Sequence, residues 1–231
     1  MLMPWSTDME LFSLMKQELF PAVAGDILDE MGYRHQFLSQ TLRPLHPDMV
    51  IAGRAMPVLE ADYPAAMMAD SPGPLAGKDF GLMFEALDSL KAGEVYIAAG
   101  ASPKYALWGG LMTARAKYLK AAGAILNGYS RDTQEILSMN FPVFSYGSYA
   151  QDQKVRGKVL DYRVSIEVDH IVIHPGDLVF SDRDGVLLIP QTIEREVIHL
   201  ALEKVRAENH VRNAIDQGMA TVEAYHRFGV M

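Results

Sequence analysis

The chain contains no cysteine in its 231 residues, which removes disulfides, thiolate zinc sites, iron–sulfur clusters and a cysteine nucleophile from consideration. Any metal must therefore be held by oxygen or imidazole. A basic excess is also lacking: 21 Lys and Arg stand against 29 Asp and Glu, for a formal net charge of -8. The basic residues are scattered, so a cationic face for nucleic acid is not expected, although an acidic surface still permits a basic protein partner. No uncharged apolar run reaches the ~20 residues that a membrane-spanning helix needs, because Asp, Gly or Pro interrupts each one. Met1 to Phe12 carries Asp8 and Glu10 where a signal peptide would have a basic start and an apolar run. A cytoplasmic protein with no membrane and no nucleic-acid partner is the expectation.

Apolar residues make up 49% of the chain, enough for a full core. Thr7 with Glu10 reads as a capping box, and Leu11, Phe12, Met15 and Leu19 follow at helical spacing. Pro21 suits the opening of a second helix that runs through Ile27 and Met31 and stops at Gly32. Val50 to Leu59 is strand-like, a Pro-, Gly-, Ala- and Met-rich stretch from Tyr63 to Gly77 reads as a long loop, Phe80 to Leu90 suggests a helix and Glu94 to Ala99 a buried strand. Thr113 to Ala122 suits a helix ending at Gly123, with short strands at Ala124 to Asn127 and Phe141 to Phe144.

Helix and strand thus alternate through the middle of the chain, and then the pattern changes. Val164 to Val168, Ile171 to His174, Leu178 to Phe180 and Val186 to Ile189 read as short strands joined by turn-rich links, which predicts an antiparallel layer. From Thr192 a strongly helical stretch runs to Gly218, and a last helix spans Thr221 to Phe228. No internal repeat or linker divides the chain. The economical reading is one α/β domain, with N-terminal helices over 1–45, an α/β core over 46–190 and C-terminal helices over 191–231. Such terminal helices pack on a neighbouring subunit or cover their own core.

Residues 109–132 carry the chemistry. Gly109 and Gly110 allow close backbone approach, the helix start behind them offers unpaired N–H groups, Arg131 supplies a planar cation and Asp132 a hard oxygen ligand. A Gly-Gly pair is also an ordinary tight turn, Arg131 taken singly is a solvated cation and Asp132 a helix cap. The residue types alone leave both readings open. Elsewhere, Asp182 to Gly185 lacks the downstream Glu of a calcium loop and reads as a hairpin turn. Lys117 and Lys120 read as solvated cations, and His170 and His174 as structural. No Gly-x-Gly-x-Gly turn follows a strand, so an S-adenosylmethionine methyltransferase is not expected. Glu208 sits at the edge of an apolar helical stripe, either as a boundary residue or as a carboxylate delivered to a partner subunit's site.

The ordered set Ala106-Leu107-Trp108-Gly109-Gly110-Leu111-Met112, Gly128-Tyr129-Ser130-Arg131-Asp132, Pro175-Gly176-Asp177-Leu178-Val179 and Asp184-Gly185-Val186 through Pro190 resembles the RraA-like family, which includes 4-hydroxy-4-methyl-2-oxoglutarate aldolases. The resemblance runs from Gly25 through Gly53-Arg54-Ala55 to the helices around Glu208 and Gly218. It implies a swivelling β/β/α domain with helical N- and C-terminal extensions, a homotrimer or homohexamer with sites between subunits, and a divalent metal, commonly Mg2+. It further implies that Gly109, Gly110, Leu111 and Met112 line the substrate carboxylate, that Arg131 binds substrate oxygens, that Asp132 holds the metal directly or through water, and that Glu208 is the acid lent by an adjacent subunit. The activity implied is a metal-dependent aldolase releasing pyruvate from a 2-keto acid, with oxaloacetate decarboxylation by the same electron flow; the alternative is a non-catalytic regulator that binds a ribonuclease. The chain departs from the aldolase-type pattern at Gly110, where that pattern places an acidic residue.

Overall fold

The strand expected near Val50 is the axis around which the molecule is built. In the computed structural model, which describes residues 4–63, 75 and 77–229, it extends over Ile51–Asp62. The segment read as a long loop, Tyr63 to Gly77, lies almost entirely outside the described residues.

Twelve strands are described, in chain order β1 (Arg43–Pro44), β2 (Ile51–Asp62), β3 (Glu94–Ala99), β4 (Ala106–Trp108), β5 (Gly123–Leu126), β6 (Tyr129–Ser130), β7 (Val143–Ser145), β8 (Gly157–Tyr162), β9 (Ile166–Val168), β10 (Ile171–Ile173), β11 (Leu178–Ser181) and β12 (Val186–Ile189). The main sheet runs β1-β7-β5-β3-β2-β11-β12, with β8 also on β2. Strands β2, β3, β5 and β7 are parallel, and their nearly continuous burial is that of a sheet covered on both faces. On its other edge β2 pairs antiparallel first with β11 and then, from Val58 onward, with β8, a pairing that shifts register between Leu59 and Glu60. Such an irregularity bends a strand and increases its local twist. The sheet curls accordingly, and the fold is the swivelling β/β/α type with helices at both termini.

Both N-terminal helices form where local signals place them. Thr7 and Glu10 make the reciprocal capping box of helix Asp8–Glu18, and Pro21 opens helix Pro21–Glu30. The C-terminal helices are Glu194–Asp216 and Thr221–Phe228. Leu11, Phe12, Met15, Leu28, Val197 and Ile198 meet in one buried cluster against β11 and β12. The first half of the long helix therefore covers its own core.

Three expectations need correction. Helix Gly110–Tyr118 begins three residues before Thr113 and stops short of Ala122; Thr113 N–H donates to the Gly109 carbonyl at 3.0 Å, so the glycines start the helix rather than precede it. Gly123 opens β5 instead of ending a helix. The helix read over 80–90 is only Met83–Asp88. Strand β8 was not anticipated, because Lys158 and Asp161 break its apolar pattern; Lys158 is nonetheless buried, its ammonium lying 4.5 Å from the Tyr63 ring centroid.

Arg54, leaving β2, ties the helices to the sheet. It donates to Asp8 (2.6 Å), to Glu194 and to the Gly176 carbonyl (3.3 Å), and its partners hold its guanidinium pKa above the ordinary arginine value, the hydrogen bond to Asp8 foremost. The Arg54 and Glu194 side chains are only 15% and 11% exposed, so removing one leaves the other charge buried without its partner. Arg54→Ala should destabilise the fold by ~3 kcal/mol in urea unfolding, with partial recovery when Glu194→Gln is added. A loss within ~0.5 kcal/mol, as at an ordinary surface position, would contradict this.

Candidate functional site

A small two-stranded sheet builds the site. β4 and β6 are parallel neighbours, with Ala106 opposite Tyr129 and Trp108 opposite Ser130, so the residues that follow each strand emerge side by side. These are Gly109-Gly110 after β4 and Arg131-Asp132 after β6. Carboxyl ends of neighbouring parallel strands are where α/β sheets gather ligands.

Asp132 has a left-handed backbone, φ 57, which turns the chain sharply into helix Thr133–Ser138. It occupies the cap position of that helix but makes no side-chain cap hydrogen bond there. Its Oδ2 instead accepts the Gly110 N–H at 3.0 Å, so the carboxylate belongs to the start of the other helix. Oδ1 has no hydrogen-bond partner among the described residues. The Arg131 guanidinium reaches Asp152 Oδ1 at 3.0 Å and lies 3.9 Å from Asp132 Oδ2.

The glycine pair is needed for space. A Cβ at Gly109 would stand 2.7 Å from Asp132 Oδ2, and one at Gly110 would stand 2.0 Å from Glu135 Oε2. Two carboxylates thus lie over the two glycines. Glu135, which sequence reasoning did not single out, lies over Gly110. The available signal was its place three residues after Asp132, on the first turn of a helix, where i and i+3 share a face.

The cleft beside these groups has a volume of about 380 Å³, within the usual range of small-molecule sites. Gly109, Leu111, Met112, Arg131 and Asp132 line it, so these expected residues do converge. Gly110 is buried and reaches the site through its N–H. Glu208 does not join them in this chain; it borders a separate shallow depression with Val211, Arg212 and Ile215. Lys117 donates to the Met139 carbonyl at 2.5 Å, and Asp182 to Gly185 closes the β11–β12 hairpin, as read.

A second polar layer lies beneath the cleft. Gln153 lines it and donates to Glu60 Oε2 at 2.6 Å. Glu60 is 1% exposed, and burial pushes its carboxyl up to about 8 despite the opposing hydrogen bond from Gln153. Glu60 Oε1 and the Tyr96 hydroxyl are buried without partners among the described residues, and burial together with the Glu60 charge raises the Tyr96 pKa well above that of free tyrosine.

A metal can be tested against this donor set. Among the described residues no group of three or more His, Asp or Glu is placed to hold an ion. Asp132 Oδ1, with Glu135 beside it, offers one or two hard oxygens, which suits Mg2+, an ion that keeps several waters and takes the rest of its shell from substrate. The residues fit such an ion.

Comparison with known proteins places the chain in a family. A family model described as RraA-like: Aldolase/RraA matches residues 22–188. A protein of Halalkalibacterium halodurans that carries the provisional name 4-hydroxy-4-methyl-2-oxoglutarate aldolase is 28% identical over 191 residues, covering 81% of this chain and 82% of its own. The Legionella pneumophila protein DlpA is 28% identical over 204 residues, or 88% of this chain, which spans only 31% of that longer protein. In fold, the chain is similar to Streptomyces coelicolor RraAS2, described as an unusual member of the RNase ES inhibitor RraA family, with a TM-score of 0.75 and 21% identity over 90% of this chain and 99% of that one. No helix among the described residues is long and apolar enough to cross a membrane.

The buried Glu60 makes stability depend on pH. Its folded pKa of about 8 lies above the reference 4.5, so the unfolded chain releases this proton first as pH rises. Stability is full below pH ~4.5 and falls between there and ~8, by as much as ~1.4 kcal/mol per pH unit. Urea unfolding of Glu60→Gln and wild type should therefore agree near pH 4.5 and diverge above it, the variant becoming more stable by ~4 kcal/mol at pH 8. A pH-independent difference would contradict this.

Proposed function

The chain belongs to the RraA-like (Aldolase/RraA) family, whose model matches residues 22–188, and from that premise we propose that it is a divalent-metal-dependent carbon–carbon lyase acting on a 2-keto acid. The observation that carries this reading is the convergence of Arg131, Asp132 and the Gly109-Gly110 helix start on one cleft. The reaction is aldol cleavage of the 4-hydroxy-4-methyl-2-oxoglutarate type. The C3–C4 bond of a 4-hydroxy-2-keto acid breaks, the C4 hydroxyl loses its proton as the carbonyl product forms, and C3 gains a proton to give pyruvate. Decarboxylation of oxaloacetate follows the same electron flow.

Helix geometry leaves the N–H groups of Leu111 and Met112 without intrahelical partners, and they bind the substrate carboxylate at the positive end of the helix. Arg131 holds the neighbouring substrate oxygens and sets positive potential where negative charge develops. A divalent cation at Asp132 would supply Lewis acidity at the keto oxygen. Glu135, over Gly110, accepts the C4 hydroxyl proton, and its position supports the view that it serves where the aldolase-type pattern has an acid at 110. Glu208, outside its own chain's cleft, serves the adjacent subunit of a homotrimer or homohexamer.

Purified protein with Mg2+ should release pyruvate from a panel of 4-hydroxy-2-keto acids and lose this activity with chelator. Arg131→Ala and Asp132→Asn should each lower kcat/KM roughly a hundredfold. Gly110→Ala should keep stability within ~1 kcal/mol, since alanine favours the helix and only the mobile end of Glu135 must move, yet lower kcat. Metal-independent turnover, or none on any 2-keto acid, would contradict the reading.

A further inference from the structure

We propose that the cleft selects a 2-keto acid whose far end is apolar, an alkyl or aryl substituent in place of a second carboxylate. The inference rests on the lyase reading and narrows its substrate class. Away from Arg131 and Asp132, the wall of the cleft is made by Phe80, Met83, Phe84, Leu87, Leu111 and Met112, carried largely by helices Met83–Asp88 and Gly110–Tyr118. Leu111 is 85% exposed and Phe84 58% exposed, and Phe80 meets Phe84 edge-on at 5.6 Å between ring centroids. Apolar side chains left open beside a charged group are surface that a ligand removes from water.

Charge points the same way. Two arginines line the cleft, and each is already partnered: Arg115 Nε lies 2.7 Å from Asp88 Oδ1, and Arg131 Nη1 lies 3.0 Å from Asp152 Oδ1. With Asp132, the lining holds three aspartates against two arginines. Arg131 can share its planar fork with one substrate carboxylate, but a second carboxylate at the far end would meet an arginine already bound by Asp88 and a wall of hydrocarbon. Placing an anion there, between the Asp88 carboxylate and hydrocarbon, is costly, whereas a methyl, isobutyl or phenyl group gains burial.

Calorimetric titration of the full chain with Mg2+ tests this, using pyruvate, 2-oxobutanoate, 4-methyl-2-oxopentanoate, phenylpyruvate and 2-oxoglutarate. Affinity should rise roughly three- to fourfold per added methylene, with 2-oxoglutarate no tighter than pyruvate. Phe84→Ser should shrink the ratio between 4-methyl-2-oxopentanoate and pyruvate at least twofold, as roughly half a methylene's burial would. Asp88→Asn, which frees Arg115, should tighten 2-oxoglutarate several-fold. If pyruvate binds but the apolar series shows no gain, or 2-oxoglutarate binds tightest, the selectivity proposal fails while the lyase reading stands. If Phe84→Ser disrupts subunit assembly and leaves the ratio unchanged, the wall is a subunit contact and the proposal is overturned. If no keto acid binds, both fall together.

Discussion

The hydrogen bond from the Gly110 N–H to Asp132 Oδ2 joins two parts of the chain that would otherwise have no reason to share a site. It exists because β4 and β6 run parallel and end together. It also requires Asp132 to turn through a left-handed conformation, which costs a non-glycine residue some free energy, and Gly109 to leave room for the carboxylate. The same bond commits one carboxylate oxygen to protein and leaves the other without a protein partner among the described residues, beside a helix start whose remaining N–H groups have no intrahelical acceptor. On the proposed reading, one short strand pair thereby organises metal, substrate carboxylate and guanidinium.

Elements fixed by local chemistry were readable from the residues. The Thr7–Glu10 box, Pro21 at a helix start, the apolar run of β12 and the closing helix from Thr221 all rest on interactions within a few positions. Helix Gly110–Tyr118 was misplaced because a Gly-Gly pair reads as a turn, and only the bond to Asp132 and the Gly109 carbonyl reveals it as the first helical turn. β8 was hidden because its buried Lys158 is accommodated by Tyr63 and the Leu75 carbonyl, far away in sequence. The family resemblance named Gly109, Leu111, Met112, Arg131 and Asp132, which the fold brings to one cleft, whereas the positions of Glu135 and of the Glu60–Gln153 layer depend on packing that no spacing rule encodes.

The charged end of the cleft and its apolar wall divide two tasks. On the proposed reading, Arg131 and Asp132 address the part common to every 2-keto acid, and the phenylalanine, leucine and methionine side chains address what varies between them. Gln153, fixed from below by a carboxyl that burial keeps protonated to about pH 8, adds a neutral polar floor without another charge near Asp132.

The anchoring role of Asp132 is tested most directly by Mn2+ titration followed by electron paramagnetic resonance, with Mn2+ standing in for Mg2+. Wild-type protein should bind the ion, and more tightly with pyruvate present; Asp132→Asn should lose at least roughly tenfold in ion affinity, with the fold intact by circular dichroism. Equal Mn2+ binding by the two proteins, or wild-type binding that pyruvate does not strengthen, would contradict the placement of the ion beside Arg131.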